Sequence, residues 1–249
     1  MNRKMTGLLS ALALSAVLAA CGQPGGKSDM PPLPASATAP IDYVRDIHSF
    51  ARPEIARVRH VDLDLTANFE TNTLSGTATL DVSAEPGVIL DVRNLDIRAV
   101  TDESGKALPF VLGAVDPIMG QPLTVTFPAF SAGEQRKIVI SYATRPDAAA
   151  LQWLTPVQTA GGRQPYLFSQ GQAILTRTWI PTQDSPGIRQ TYSAKITVPT
   201  ALKAVMSAEM LTPDGKTAGD GMHSFSFRMT NPVPPYLIAL AVGDLAFAS

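Results

Sequence analysis

The chain has 249 residues, with 20 basic and 21 acidic side chains and a formal net charge of −1. This balance, without any block of like charge, argues against a nucleic-acid partner, because such surfaces need clustered Lys and Arg. Hydrophobic residues make up 45% of the chain, enough for a sizeable core, and a single cysteine excludes an internal disulfide.

Residues 1–20 are typical of a bacterial lipoprotein signal peptide. A basic start is followed by a Leu/Ala-rich run at 7–20, which is too short to span a bilayer. Cys21 comes directly after small residues, as in a lipobox, so we expect it to carry a thioether-linked lipid. Gly22 would then permit sorting to the outer membrane, on its periplasmic side. The alternative is an ordinary signal peptide with an incidental cysteine.

Residues 21–40 are predicted to be the lipid-attachment cysteine and a flexible linker. Eight of the nineteen residues at 22–40 are Gly or Pro, and almost none of the others is apolar. A flexible coil of this length spans roughly 25 Å, enough to hold a domain clear of lipid headgroups. The folded domain is predicted at 41–249, and it begins with a short turn or loop that Tyr43 and Phe50 would pin to the domain.

From residue 57 onward the chain alternates apolar and polar residues with the period of β-strands. The first run, 57–65, turns at 70–73 into a return strand at 74–82. Further strands are predicted at 88–92, 95–102, 123–127, 136–142, 189–198, 204–209, 223–231 and 236–247. Asp214 and Gly215 predict a hairpin turn. Because no amphipathic helix longer than two turns is found, we predict an all-β fold, a sandwich or saddle of packed mixed sheets.

The least generic stretch is residues 165–186, PYLFSQGQAILTRTWIPTQDSP. Two apolar runs, at 166–168 and 174–180, surround the polar step Gln170-Gly171-Gln172-Ala173. Two β-type runs around a glycine suggest a strand that brings backbone groups close to a ligand or another domain. The alternative is that the polar step is an edge bulge or a turn.

Five segments of the chain resemble the N-terminal domain of the zinc aminopeptidases of the aminopeptidase N clan, in particular the branch that contains leukotriene hydrolase. The segments are ALQWLTPVQT, QPYLFSQGQAI, IPTQDSP, TVPTALKAVMSA and PPYLIALAVGDL. They follow the family's order and approximate spacing and cover most of the chain after Ile55. The resemblance implies a hydrolase that removes N-terminal residues from peptides, with a zinc-bound water attacking the scissile carbonyl.

The catalytic motif of that family is absent from this sequence. The motif is H-E-x-x-H on a helix, with two zinc-binding imidazoles and a glutamate that activates water. The three histidines, His48, His60 and His223, lie far apart and none belongs to such a motif. The family's glycine-rich motif ending in Met-Glu-Asn is also missing. We therefore expect no catalytic residue and no metal ligand in this chain, with zinc belonging to the full-length family.

The resemblance assigns part of a substrate site to Gln170, Gly171, Gln172 and Ala173. The position of Gln172 would help to hold the free amino terminus of the substrate, with backbone contacts from Gly171 and Ala173. Many relatives have glutamate there, whereas the leukotriene hydrolase branch has glutamine. A neutral amide accepts a hydrogen bond from an ammonium more weakly than a carboxylate does. We expect this segment at a sheet edge or rim, with the Gln172 side chain at least partly exposed.

Taken together, the sequence predicts the non-catalytic N-terminal β domain of an envelope-anchored zinc metalloaminopeptidase. Peptide substrates would be reached through a catalytic domain absent from this chain, and the lipid anchor would supply the membrane contact. An exposed apolar face for that domain is expected at Trp153, Leu154, Tyr166, Phe168 and 236–240, unless these are core residues. The alternative function is a stand-alone lipid-anchored β module with a binding or structural role.

Overall fold

The computed structural model describes residues 46–83, 86–127, 135–219 and 221–247. All of them belong to one compact unit, Asp42–Ser249. The predicted signal peptide, Cys21, the linker and Tyr43 lie outside the described residues. Within the described ranges, no helix has both the length and the apolar character needed to cross a membrane.

The described residues contain fifteen strands and three single-turn 3₁₀ helices. The strands are β1 (Val58–Asn68), β2 (Thr73–Ser83), β3 (Gly87–Val92), β4 (Asp96–Asp102), β5 (Phe110–Leu112), β6 (Gln121–Thr126), β7 (Gln135–Ala143), β8 (Leu151–Leu154), β9 (Tyr166–Ser169), β10 (Gln190–Pro199), β11 (Lys203–Met206), β12 (Glu209–Met210), β13 (Lys216–Thr217), β14 (Met222–Val233) and β15 (Leu240–Gly243). The 3₁₀ helices are Pro156–Gln158, Thr176–Thr178 and Pro235–Leu237. The all-β prediction is confirmed.

Three sheets share one hydrophobic core. The largest has eight strands in the order β12–β14–β10–β1–β2–β7–β4, with β13 also paired to β14. It is mixed, because β1 runs parallel to β10 and antiparallel to β2. A four-stranded sheet has the order β11–β15–β9–β8, and a three-stranded sheet has the order β3–β6–β5. Buried side chains of all three, such as Leu63, Leu167 and Leu90, belong to a single cluster.

The first hairpin shows how the sequence pattern builds the large sheet. Val61 and Leu63 are fully buried while Asp62 is exposed, as the alternation predicts. An irregularity in the β1–β2 pairing lies between Val58 and His60, and it brings Val58 to the buried side as well. The hairpin turns at Asn72, whose φ of 54° is a left-handed conformation that asparagine tolerates.

Three sequence predictions are corrected by the structure. The run at 174–180 is a turn followed by the 3₁₀ helix Thr176–Thr178 rather than a strand, because a short apolar run does not distinguish a strand from other buried chain. The strand predicted at 236–247 is limited to β15, since the prolines before it start a 3₁₀ helix. The turn at Asp214 and Gly215 exists, but the strands on either side both pair with β14 instead of with each other.

Candidate substrate-binding turn

The chain leaves β9 in a tight turn at the end of the four-stranded sheet. We call Gln170, Gly171, Gln172 and Ala173 the 170–173 turn. The Gln170 N–H donates to the Ala150 carbonyl at 2.8 Å, and the Gly171 carbonyl accepts from Leu175 N–H at 2.8 Å. The predicted strand through these residues is therefore a turn, which was the alternative considered from the sequence.

The side chains of the 170–173 turn face outward while its glycine is buried. Gln170, Gln172 and Ala173 are exposed, and the Gln172 N–H donates to the Gln170 carboxamide oxygen at 3.2 Å. The expectation that the Gln172 side chain is accessible at a rim is met, and its role in substrate binding stays a prediction. An exposed carboxamide next to a fixed backbone is able to accept a hydrogen bond from an ammonium group.

Gly171 is required by the close packing beneath the turn. A Cβ added at this position would lie 2.6 Å from Thr176 Oγ1, 2.9 Å from Tyr236 Cα and 3.1 Å from the Tyr236 carbonyl oxygen. Two of these three neighbours are backbone atoms, which cannot rotate away. The glycine therefore seats the turn directly against the Pro235–Leu237 3₁₀ helix.

We expect Gly171→Ala to lower the free energy of unfolding by about 1–3 kcal/mol, because the added methyl overpacks a closed site. The measurement is urea unfolding of both proteins. The matched control is Gly187→Ala, where the nearest atom to an added Cβ is Ser185 Oγ at 3.9 Å. Equal effects of the two substitutions would show that the packing under Gly171 yields without cost.

Behind the turn lies a fully buried arginine. Arg177, in the 3₁₀ helix that follows the turn, donates through Nε to Asp184 Oδ2 at 3.1 Å and through Nη2 to the Asp184 carbonyl at 3.0 Å. Its Nη1 donates to the Met119 carbonyl and its Nη2 to the His48 carbonyl, both at 2.9 Å. Asp91 lies 3.8 Å from Nη1. One guanidinium therefore joins four separate parts of the chain.

The second buried carboxylate, Asp91, connects the entry of the domain to the same network. It accepts hydrogen bonds from Ser49 Oγ at 2.6 Å, Phe50 N–H at 2.7 Å and Asp184 N–H at 2.8 Å. The predicted pinning of the entry segment by Phe50 thus occurs through its backbone N–H. These contacts fix residues 46–50 against β3 and the chain that follows the 170–173 turn.

The network places two carboxylates around one guanidinium in the protein interior. Burial raises the pKa of Asp184 to about 6, although Arg177 opposes the shift and Asp91 adds to it. A buried charge is tolerated only when it is paired and hydrogen-bonded. Asp184 meets this condition through Arg177, whose backbone N–H also donates to Oδ2 at 3.1 Å.

The described residues do not provide a zinc site. No group of three or more His, Cys, Asp or Glu side chains within them is arranged to hold a metal ion. His60 instead contacts Thr191 Oγ1 at 2.7 Å and Ser193 Oγ at 3.1 Å on the large sheet. The donor set needed for zinc hydrolysis therefore does not fit the described part of this chain.

The apolar face expected from the sequence is only partly present. Leu237 is exposed, but Ile238 and Leu240 are core residues. The expectation of an exposed face is therefore wrong for Ile238, whereas Leu240 follows the alternative considered from the sequence. Trp153 is half-buried and packs edge-to-face on Phe69, with ring centroids 5.1 Å apart.

A second set of half-buried apolar residues covers one side of the four-stranded sheet. Leu154 lies opposite Tyr166, Phe168 opposite Ala241, and Ala241 opposite Val205. We call these five residues the outer face. The rings of Tyr166 and Phe168 are 6.0 Å apart. Because neighbours across the strands share one side of a sheet, these side chains form one continuous apolar surface.

The buried arginine network was missed in the sequence. The segment TRTWIPTQDSP contains Arg177 and Asp184 seven residues apart, but without a helix or strand period nothing indicates that they face each other. The signal that could have found them is a charged pair inside an otherwise apolar stretch, since charged residues are almost never buried alone.

Comparisons with known proteins agree with this fold. The family model "Peptidase M1 N-terminal domain" matches residues 57–237. The chain is 37% identical over 205 residues to leukotriene A-4 hydrolase of Xenopus laevis, covering 80% of this chain and 34% of that protein. It is 35% identical over 204 residues to leucine aminopeptidase 2 of Yarrowia lipolytica, covering 81% of this chain and 30% of that protein.

Two solved structures share the architecture. Native leukotriene A4 hydrolase from Saccharomyces cerevisiae has a TM-score of 0.74 and 28% identity, covering 85% of this chain and 33% of that chain. An M1 zinc metallopeptidase from Deinococcus radiodurans has a TM-score of 0.61 and 27% identity, covering 76% of this chain and 42% of that chain. The chain thus spans about a third of the length of the curated relatives it matches.

Proposed function

Because the chain belongs to the peptidase M1 N-terminal domain family, we propose that it is the non-catalytic β domain of an envelope-anchored zinc aminopeptidase. In this role it contributes the 170–173 turn to the site that binds the amino terminus of a peptide. The family resemblance found in the sequence is confirmed by the family match and by the relatives. Aminopeptidase activity, peptide substrates and the anchor belong to the proposal.

The proposal rests on the observation that the 170–173 turn is exposed while the residues beneath it are closely packed. Gln172 is accessible, whereas Gly171 beneath it is closed in by the Tyr236 backbone and the Thr176 hydroxyl. Binding groups act best when the surrounding structure fixes their position. The Gln172 carboxamide accepts a hydrogen bond from the substrate ammonium, and the backbone around Gly171 and Ala173 orients the peptide.

The outer face supports a contact with a catalytic region. It carries five apolar side chains on one sheet surface, and the sheet ends at the 170–173 turn. Apolar surface of this kind on a soluble domain generally marks an interaction site. A catalytic region that packs on the outer face would lie next to the turn, so that both parts could contact one peptide.

We expect the isolated chain, residues 22–249, to leave aminoacyl anilides intact even with added zinc. The described residues lack a zinc ligand set, so the metal-activated water of the family has no place to form. The measurement is release of the anilide chromophore by purified protein. Hydrolysis that persists through purification and stops with a chelator would contradict the non-catalytic role.

A further inference from the structure

We propose that apolar side chains around the point where the linker enters the domain form a surface that contacts the lipid leaflet. This surface, called the apolar rim, consists of Ile47 and of Val115 and Ile118 from the loop between β5 and β6, and these residues are 74%, 72% and 68% exposed. Large apolar side chains grouped on a surface mark contacts with proteins or membranes. The inference rests on the lipid anchoring in the proposed function.

The loop that carries Val115 and Ile118 of the apolar rim is ordered by its own hydrogen bonds. It joins β5, an edge strand of the three-stranded sheet, to β6. Asp116 Oδ1 accepts from Ile118 N–H at 2.8 Å and from Met119 N–H at 2.7 Å, and backbone bonds join Asp116 to Gly120. Ile118 therefore points to solvent from a fixed loop, so its exposure is built into the fold.

The entry segment is fixed to the same loop. The Arg177 guanidinium donates through Nη1 to the Met119 carbonyl and through Nη2 to the His48 carbonyl, both at 2.9 Å. Ile118 and Ile47 are the residues that directly precede these two carbonyls in the chain. Asp46, the first described residue of the chain, therefore lies beside the apolar rim.

The linker predicted from the sequence is long enough for the domain to stand clear of the lipid headgroups, and it also allows the rim to contact them. Twenty-four residues separate Cys21 from Asp46. If they form the flexible linker predicted from the sequence, they span roughly 25–30 Å. If Cys21 is lipidated, such a linker keeps the entry point of the domain within this distance of the membrane, and Ile47 and Ile118 lie beside the entry point.

The charges of the rim fit a shallow contact with zwitterionic lipid. Arg93 donates through Nη1 to the Ile118 carbonyl at 3.2 Å, and Asp116 provides one carboxylate. Hydrogen bonds from the Met119 and Ile118 N–H groups lower the pKa of Asp116, so it stays charged. Asp46, next to Ile47, adds a second carboxylate, so the charges beside the rim give no net attraction to anionic headgroups. Apolar side chains then enter only the headgroup boundary, as interfacial segments do.

The test uses the full chain carrying Ile118→Cys, produced in a two-membrane bacterium. The sequence has one cysteine, so a thioether at Cys21 leaves position 118 as the only free thiol. The thiol is labelled with an environment-sensitive fluorophore, and the protein is reconstituted in phosphatidylcholine vesicles containing spin-labelled lipid. The control is Val157→Cys, a residue 87% exposed in the Pro156–Gln158 3₁₀ helix.

The control position is remote from the rim. A surface cavity lined by Phe69, Trp153 and Pro156 lies past the end of β1, whereas one lined by Asp46, Ser49 and Arg57 lies at its start. A strand of eleven residues is about 36 Å long. We expect a blue shift and strong quenching by the spin-labelled lipid at position 118, and neither at position 157.

Each other outcome overturns a defined part of the account. Equal quenching at both positions, or none at either, refutes the apolar rim while leaving the anchor intact. A blue shift at position 118 that the lipid quencher does not affect shows protein covering the rim, from a second copy or a further domain, and also refutes the inference. The Cys21→Ser variant is expected in the soluble fraction. If the wild-type protein is found there as well, both the lipid anchor and the apolar rim are refuted.

Discussion

Replacing Arg177 with methionine should lower the free energy of unfolding by about 3–5 kcal/mol, because it leaves buried carboxylates without their partner. Arg177 and Asp91 are completely inaccessible and Asp184 nearly so. The substitution also leaves the Met119 and His48 carbonyls without their donors. Since small domains are stable by only about 5–15 kcal/mol, this is a large part of the total.

The matched control for this prediction is Arg228→Met. Arg228 donates to Glu209 at 3.1 Å, but its side chain is 54% exposed, so its loss should cost at most about 1 kcal/mol. The measurement is urea unfolding followed by circular dichroism. If Arg177→Met does not fold, Arg177→Lys provides the comparison, because one ammonium cannot replace a planar fork of donors. Similar stability of the Arg177 and Arg228 variants would contradict the structural role of the network.

A pH-dependent loss of stability should originate from Asp184. Its pKa is about 6 in the folded protein, raised mainly by burial from an ordinary value of 3.8. The folded state therefore holds the proton more tightly than the unfolded state. The resulting stability is fully present below about pH 4 and is lost as the pH rises through 6. A shift of about two units corresponds to about 3 kcal/mol.

The comparison of wild type with Asp184→Asn isolates this group, because asparagine does not titrate. Urea unfolding at pH 4, 5, 6 and 7 should show the stability of the wild type relative to the variant falling by about 3 kcal/mol across the series. Asp64→Asn is the control, since the Asp64 carboxylate is 54% exposed and pairs with Lys195 on the surface. A difference that stays constant, or that grows with pH, would contradict the assigned shift.

The sequence predicted the strands well where one face of the sheet is buried. Leu63 and Leu80 alternate with exposed or half-exposed neighbours, and this period of two is visible without a structure. It failed at the short edge strand β5, whose three residues are all exposed and so show no alternation. It also failed at 174–180, where buried hydrogen bonds of Arg177 and Thr178 replace strand pairing.

The sequence predicted one part of the candidate site but not the parts that depend on contacts between distant residues. The resemblance pointed to Gln172, and the structure places this side chain at an accessible turn. The need for Gly171 could not be predicted, because it depends on Tyr236, a residue far along the chain that packs under the turn. The Arg177 network likewise joins residues from four distant segments, a relation that local periodicity does not contain.

The most direct test of the central claim is an NMR titration of residues 22–249 with a tripeptide. A tripeptide with a free amino terminus should shift the backbone amide signals of Gln170, Gly171, Gln172 and Ala173, and Gln172→Ala should weaken the effect. The N-acetylated tripeptide, which lacks the ammonium, should leave these signals in place. Binding should be weak, because in the proposed function the 170–173 turn supplies only part of the site. Equal shifts with both peptides, or none with either, would contradict the assignment of the turn to the peptide amino terminus.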